Sequence, residues 1–109
     1  MKSITVQELK TALDSSTPPQ LLDVRRKATF QTADELVTGA LWRNPEQVPE
    51  WSVNLDRGRL VVVYCVHGHE VSQGCASRLA ELGCAAAYLE GGIEAWKEAG
   101  GSMSVKTSA

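Results

Sequence analysis

Short apolar runs alternate with amphipathic stretches along the chain. Residues 60–64 are continuously apolar and rich in β-branched side chains, a pattern typical of a strand buried on both faces of a parallel sheet. A helix is predicted next, because apolar residues follow at positions 71, 75, 79 and 82 and Gly83 is placed to end it. The same criteria predict short strands at residues 4–5, 21–24, 39–42 and 86–89.

Three further helices are predicted between these strands. One follows a capping box made by Thr5 and Glu8, and the others cover residues 45–51 and 93–99. Strand–helix–strand alternation favours a three-layer α/β/α domain with a central, mostly parallel sheet. We assign residues 3–101 to this domain and predict that residues 102–109 form a flexible tail, because they are polar and lack a periodic pattern.

Composition and charge narrow the class of protein. The 109 residues suffice for one domain, and 43% hydrophobic with 22% charged residues is ordinary for a globular chain. A net charge of −2 argues against a nucleic-acid or membrane-surface binder, which needs a basic face. Three cysteines and a polar N-terminus without a signal peptide lead us to expect a cytoplasmic protein with reduced thiols. We also expect it to be a monomer or a weak homodimer.

The candidate chemistry lies directly after the predicted central strand, where Cys65 opens a short loop before a helix. Ligands and reacting groups gather beyond the carboxyl ends of strands in open α/β sheets. Such a loop tends to curl, so that its amides and the helix N-terminus stabilise a thiolate or a small oxyanion. Gly68 supplies a residue that tolerates a positive φ where the loop turns.

Residues 63–70, Val-Tyr-Cys-Val-His-Gly-His-Glu, resemble the active loop of the rhodanese sulfurtransferases. Three other stretches are similar to motifs of that family in the same order: Leu-Asp-Val-Arg at 22–25, Val-Thr-Gly-Ala-Leu at 37–41, and Tyr-Leu-Glu-Gly-Gly-Ile-Glu-Ala-Trp-Lys-Glu-Ala-Gly at 88–100. The resemblance covers about residues 3–101 and implies the rhodanese-like fold.

The resemblance implies a sulfurtransferase that works through a persulfide on Cys65. The donor would be thiosulfate or a persulfide, the acceptor cyanide or a thiol, and no cofactor is implied. The loop residues would bind the substrate: Val66, His67, Gly68, His69, Glu70 and Val71. A cysteine phosphatase is disfavoured, because the arginine that it needs six positions after the cysteine is Val71 here.

Some residues depart from the family pattern. Glu70 stands where many relatives carry arginine, Val71 where they carry serine or threonine, and Thr29 where an acidic partner of Arg25 is usual. A carboxylate beside the nucleophile opposes an anionic donor, so a persulfide donor is as credible as thiosulfate. His67 and His69 would offset this charge, or they are plain surface residues of the loop.

Other residues are candidates for supporting roles. Asp23 would support the loop by hydrogen bonds to nearby backbone, and Arg25 would have a structural role. Trp42 would either line the pocket or pack as an ordinary aromatic residue. Arg43 would bind an anion at the mouth of the site or be a solvated charge, and the charge run at residues 25–27 is interpreted as a solvated turn. Cys75 and Cys84 are expected to be small core residues, with a resolving thiol as the alternative for Cys84.

A metal site is disfavoured, because the spacing of Cys65, His67, His69 and Cys75 matches no closed zinc pattern. Two other functions remain open. The chain could be a non-catalytic, partner-binding module of the same fold, because its loop lacks arginine. It could also be a thiol enzyme that acts on metal oxyanions.

Overall fold

Five parallel strands form the central sheet of the computed structural model, which describes residues 2–106. The strands of the chain are β1 (Ser3–Ile4), β2 (Gln20–Asp23), β3 (Glu35–Val37), β4 (Leu41–Trp42), β5 (Val61–Tyr64), β6 (Ala86–Leu89) and β7 (Met103–Val105). The helices are α1 (Val6–Leu13), α2 (Lys27–Thr32), α3 (Val48–Ser52), α4 (Glu70–Glu81) and α5 (Gly92–Glu98), with a 3₁₀ turn at Pro45–Gln47. The sheet order β1-β6-β5-β2-β4 puts β5 in the middle and confirms the predicted parallel α/β fold.

Strand β5 is buried on both faces, as its unbroken apolar sequence predicts. Val61 and Val63 point into a core formed with α3 and α4, where Trp51 and Leu79 pack. Val62 and Tyr64 point to the opposite face, into a core formed with side chains of α1 and α5. The strand is therefore held between two apolar layers, which fixes the backbone position at which Cys65 begins.

The helix boundaries follow local sequence signals. Thr5 caps α1 as predicted: its hydroxyl accepts from the Glu8 amide, and the Glu8 carboxylate accepts from the Thr5 amide. Gly83 adopts a φ of +90° after α4, as expected for a residue that ends a helix. The longest helix, α4, has 12 residues, and no helix within residues 2–106 is long and apolar enough to cross a membrane.

The predicted flexible tail is wrong for residues 103–105, which form β7. This strand pairs antiparallel with β3, the weakly patterned segment that was not predicted as a strand. The Trp96 indole N–H donates to the Ser102 carbonyl at 3.0 Å, and the Lys106 amide donates to the Asp34 carbonyl at 2.8 Å. These long-range contacts stabilise two strands whose local sequence pattern is weak. The last part of the predicted tail, residues 107–109, lies outside the described residues.

Candidate active site

Cys65 lies at the floor of a small pocket beyond the carboxyl end of β5. The residue is 6% exposed, and its Sγ lies 3.1 Å from the hydroxyl oxygen of Ser72, on the first turn of α4. The pocket has a volume of about 270 Å³, and its remaining walls are formed by Arg26, Thr29, Val66, His67, His69, Glu70 and Val71. The loop predicted from the sequence thus lines the same pocket as the cysteine.

The backbone of the loop is fixed by the N-terminus of α5. The Ile93 amide donates to the Cys65 carbonyl at 3.0 Å, and the Glu94 amide donates to the Val66 carbonyl at 3.1 Å. Gly68 adopts a φ of +74°, and a Cβ there would lie 2.7 Å from the amide nitrogen of Gly91. The carbonyls of Cys65 and Val66 therefore face α5, and glycine is required where the loop touches Gly91.

The amides of the same loop are free. Within the part of the chain that the structure describes, no acceptor is found for the backbone N–H groups of residues 66–71. Two further loop carbonyls, by contrast, are paired: Gln73 donates its amide to the His69 carbonyl and its side chain to the Gly68 carbonyl, both at 3.0 Å. Free amides at the start of a twelve-residue helix suit an anion.

Adding a side chain at Gly92 should damage this loop. Gly92 has a φ of +62°, and a Cβ there would lie 2.5 Å from the Cys65 carbonyl oxygen and would press on the Val66 carbonyl. We expect Gly92→Ala to lower the free energy of unfolding by about 2–4 kcal/mol, from strain and overpacking together. Chemical denaturation measures the change.

Gly74→Ala is the matched control, because nothing lies within 4 Å of a Cβ added at this position in α4. It should raise the stability by about 0.5–1 kcal/mol, the usual gain of alanine over glycine in a helix. Equal effects of the two substitutions would contradict the proposed contact between α5 and the loop.

Asp23 and Arg25 form a buried ion pair beside the pocket, at the end of β2. Arg25 Nη2 lies 2.6 Å from Asp23 Oδ2, and both side chains are almost completely buried. The Tyr64 hydroxyl donates to the same carboxylate oxygen at 3.0 Å and accepts from the Val37 amide at 3.1 Å. Burial, followed by the negative charge of Asp23, raises the pKa of Tyr64. The group joins β2, β3 and β5 but does not line the pocket.

Trp42 and Arg43 do not line the Cys65 pocket. Trp42 stacks on Phe30 with ring centroids 5.2 Å apart, and its indole N–H donates to the Arg25 carbonyl at 2.9 Å. Arg43 donates to the Trp42 carbonyl at 2.9 Å and faces a separate cavity, which Leu22 and Trp51 also line. Arg43 therefore lies outside the lining of the Cys65 pocket, where the anion-binding alternative would have placed it.

The sequence interpretation missed two groups at the site, Arg26 and Ser72. Arg26 is exposed, as a residue in a solvated turn should be, yet it lies at the rim of the pocket with its guanidinium 3.9 Å from the Glu70 carboxylate. The position of Ser72, seven residues after Cys65 on the first turn of α4, was the available signal for its contact with the sulfur. No comparable signal identified Arg26, because only the fold brings α2 near the loop.

Cys75 and Cys84 are buried in the apolar core between the sheet and α4, as predicted. Burial raises the pKa of Cys75 to about 11, with a smaller contribution from the charge of Cys65. Cys75 is therefore protonated at neutral pH and a poor nucleophile. Within residues 2–106, no group of three or more side chains is arranged to hold a metal ion.

The fold and the site define a parallel α/β domain whose central strand ends in a cysteine loop. The family model of the rhodanese-like domain matches residues 5–99, so the chain belongs to the rhodanese-like domain family.

Relatives and solved structures agree with this assignment. The chain is 33% identical over 78 residues to thiosulfate sulfurtransferase GlpE of Tolumonas auensis, with 71% of each chain covered. It is 32% identical to the protein of the same name from Shewanella oneidensis, over 90% of this chain and 94% of the relative. A rhodanese-like domain protein from Staphylococcus aureus superposes with a TM-score of 0.80 at 28% identity, with both chains fully covered.

Proposed function

We propose that this protein is a sulfurtransferase, which moves a sulfane sulfur from thiosulfate or a persulfide donor to cyanide or a thiol. The observation that carries the proposal is the position of Cys65, in a pocket lined by loop residues whose backbone amides have no acceptor among the described residues. Relatives that are 32–33% identical and named thiosulfate sulfurtransferases support the same reaction class.

In the first half-reaction, the Cys65 thiolate attacks the outer sulfur of the donor. The new Cys65 S–S bond forms as the S–S bond of thiosulfate breaks, and sulfite leaves with the electron pair. With a persulfide donor, the leaving group is the corresponding thiolate. Cys65 then carries one additional sulfur, and no external oxidant is needed.

In the second half-reaction, the acceptor attacks the terminal sulfur of the Cys65 persulfide. Cyanide takes this sulfur and forms thiocyanate, while the bond between the two sulfurs breaks and the Cys65 thiolate returns. A thiol acceptor, reacting as its thiolate, becomes a persulfide in the same way. Splitting the transfer into two displacements lets donor and acceptor use the same pocket in turn.

The surroundings of Cys65 suit these charges. The sulfur is anionic before attack, and the terminal sulfur is anionic afterwards, so donors fixed near the pocket stabilise both states. The free amides of residues 66–71 would supply such donors. The buried Ser72 hydroxyl, 3.1 Å from Sγ, can reverse its hydrogen bond and donate to the thiolate.

Intact-mass spectrometry tests the proposal. The reduced protein is incubated with thiosulfate or a thiol persulfide and then with cyanide. We expect a gain of about 32 Da, one sulfur atom, that maps to Cys65 and disappears on cyanide addition. A reduced sample that gains no sulfur from any donor would refute the proposal and favour the partner-binding module.

The Ser72 hydroxyl gives a second test of the mechanism. We expect Ser72→Ala to slow persulfide formation about tenfold or more, because a hydrogen bond to a charged sulfur is lost. Single-turnover mass spectrometry measures this rate. Ser77→Ala, an exposed position on the same helix, is the matched control and should leave the rate unchanged. Equal rates in the two variants would exclude a role for the hydroxyl in the reaction.

A further inference from the structure

Arg26 and Glu70 form an ion pair of opposite charges at the rim of the Cys65 pocket. Their closest N–O distance is 3.9 Å, and their side chains are 59% and 85% exposed. Within residues 2–106, neither side chain makes another hydrogen bond or ion pair. An exposed pair of this length contributes little to stability, so a ligand can replace either partner without a large cost.

The pair affects anionic and zwitterionic donors differently. Thiosulfate carries two negative charges, and in this pocket it meets the cation Arg26 together with the anion Glu70. The carboxylate thus offsets much of the attraction that the guanidinium provides. A donor with one ammonium and one carboxylate group can satisfy both partners at once.

On the basis of the proposed sulfur transfer, we infer that the preferred donor is the persulfide of an α-amino acid, with its carboxylate on Arg26 and its ammonium on Glu70. Both charges of such a donor are attached to one carbon, as the short distance between Arg26 and Glu70 requires. The sulfane sulfur lies at the end of a short side chain, and Cys65 lines the same pocket as the two charged residues.

The size of the pocket agrees with a donor of this kind. Its volume of about 270 Å³ lies just below the range of about 300–1,000 Å³ for pockets that hold drug-sized ligands. An amino-acid persulfide is a small molecule that matches this space. The exchange is balanced: the Cys65 thiolate attacks the outer sulfur, the donor S–S bond breaks, and the amino-acid thiolate leaves with the electron pair.

Four donors test the inference, and three of them share the same persulfide group. The persulfide of cysteine carries both charges, that of N-acetylcysteine lacks the ammonium, that of cysteamine lacks the carboxylate, and thiosulfate is the dianionic reference. Single-turnover persulfidation of Cys65 is followed by intact mass for the native protein, Glu70→Gln and Arg26→Gln. The ratio of variant to native rate for each donor cancels the intrinsic reactivity of that donor. Lys27→Gln and Glu98→Gln, which make the same charge changes on exposed side chains outside the pocket, are the controls.

We expect Glu70→Gln to slow the cysteine and cysteamine persulfides about three- to fivefold and to accelerate thiosulfate by a similar factor. Arg26→Gln should slow the cysteine and N-acetylcysteine persulfides and thiosulfate, which carry a carboxylate or sulfonate group, with little effect on the cysteamine persulfide, which has neither. Rate ratios that are equal for all four donors in either variant would overturn the inference while leaving sulfur transfer intact. Absence of persulfidation with every donor would instead refute the proposed function itself.

Discussion

Cys65→Ser should abolish sulfur transfer and leave the fold unchanged. A serine hydroxyl stays protonated at neutral pH and cannot carry a sulfane sulfur, so turnover should fall by more than about a thousandfold. The remaining thiols cannot take over, because Cys75 is held protonated by a pKa of about 11 and both Cys75 and Cys84 lie in the apolar core. Thiocyanate formation and the gain of mass on incubation with a donor measure the loss.

The control for this experiment is Cys75→Ala. It removes a thiol from the same protein, and it should cost some stability but retain the sulfur gain, since its thiol does not line the Cys65 pocket. Persistent persulfidation of Cys65→Ser, or its loss in a folded Cys75→Ala protein, would place the reacting sulfur elsewhere.

Asp23→Ala should produce the largest loss of stability. The substitution leaves the Arg25 guanidinium, 5% exposed, without its carboxylate partner, and it removes the acceptor of the Tyr64 hydroxyl. Breaking a buried ion pair from one side costs about 3–5 kcal/mol, because an uncompensated charge remains in the interior. Urea denaturation should show a much lower midpoint with an unchanged slope.

A double variant distinguishes charge compensation in the Asp23–Arg25 pair from its packing and hydrogen bonds. Asp23→Leu combined with Arg25→Met removes both charges and should be more stable than Asp23→Ala alone. If the double variant were the less stable of the two, the ion pair would contribute through packing and hydrogen bonds rather than through charge compensation. Arg25 also donates to the Glu35 carbonyl at 3.0 Å, so some cost should remain.

The sequence predicted those parts of the fold that depend on local patterns. The apolar run before Cys65 and the strand at residues 86–89 were recognised within a residue of their observed bounds, because burial on both faces requires uninterrupted apolar side chains. Strands β3 and β7 were missed. Each has three residues, and each is stabilised by a partner more than sixty positions away, which no local window includes.

The candidate site was predictable in its centre and not at its rim. Cys65 and its loop were identifiable because the chemistry follows from a position at the end of a buried strand. Arg26 was interpreted only as part of a solvated charge run, whereas Arg43 was a candidate for the mouth of the site; in the fold Arg26 lies at the pocket and Arg43 faces another cavity. The direction of a long side chain on a turn is decided by tertiary packing.

The backbone and the side chains of the loop have different roles, and this difference affects how new specificities could arise. The backbone of the loop is anchored by α5, while the side chains of His67, His69 and Glu70 project into solvent. Mutations at these three positions can alter the accepted molecule with little penalty to folding, since surface changes of this kind usually shift stability by less than about 0.5 kcal/mol. Gly68, which packs against Gly91, restricts such diversification. Substitutions at these loop positions can therefore change selectivity without a matching loss of folding stability.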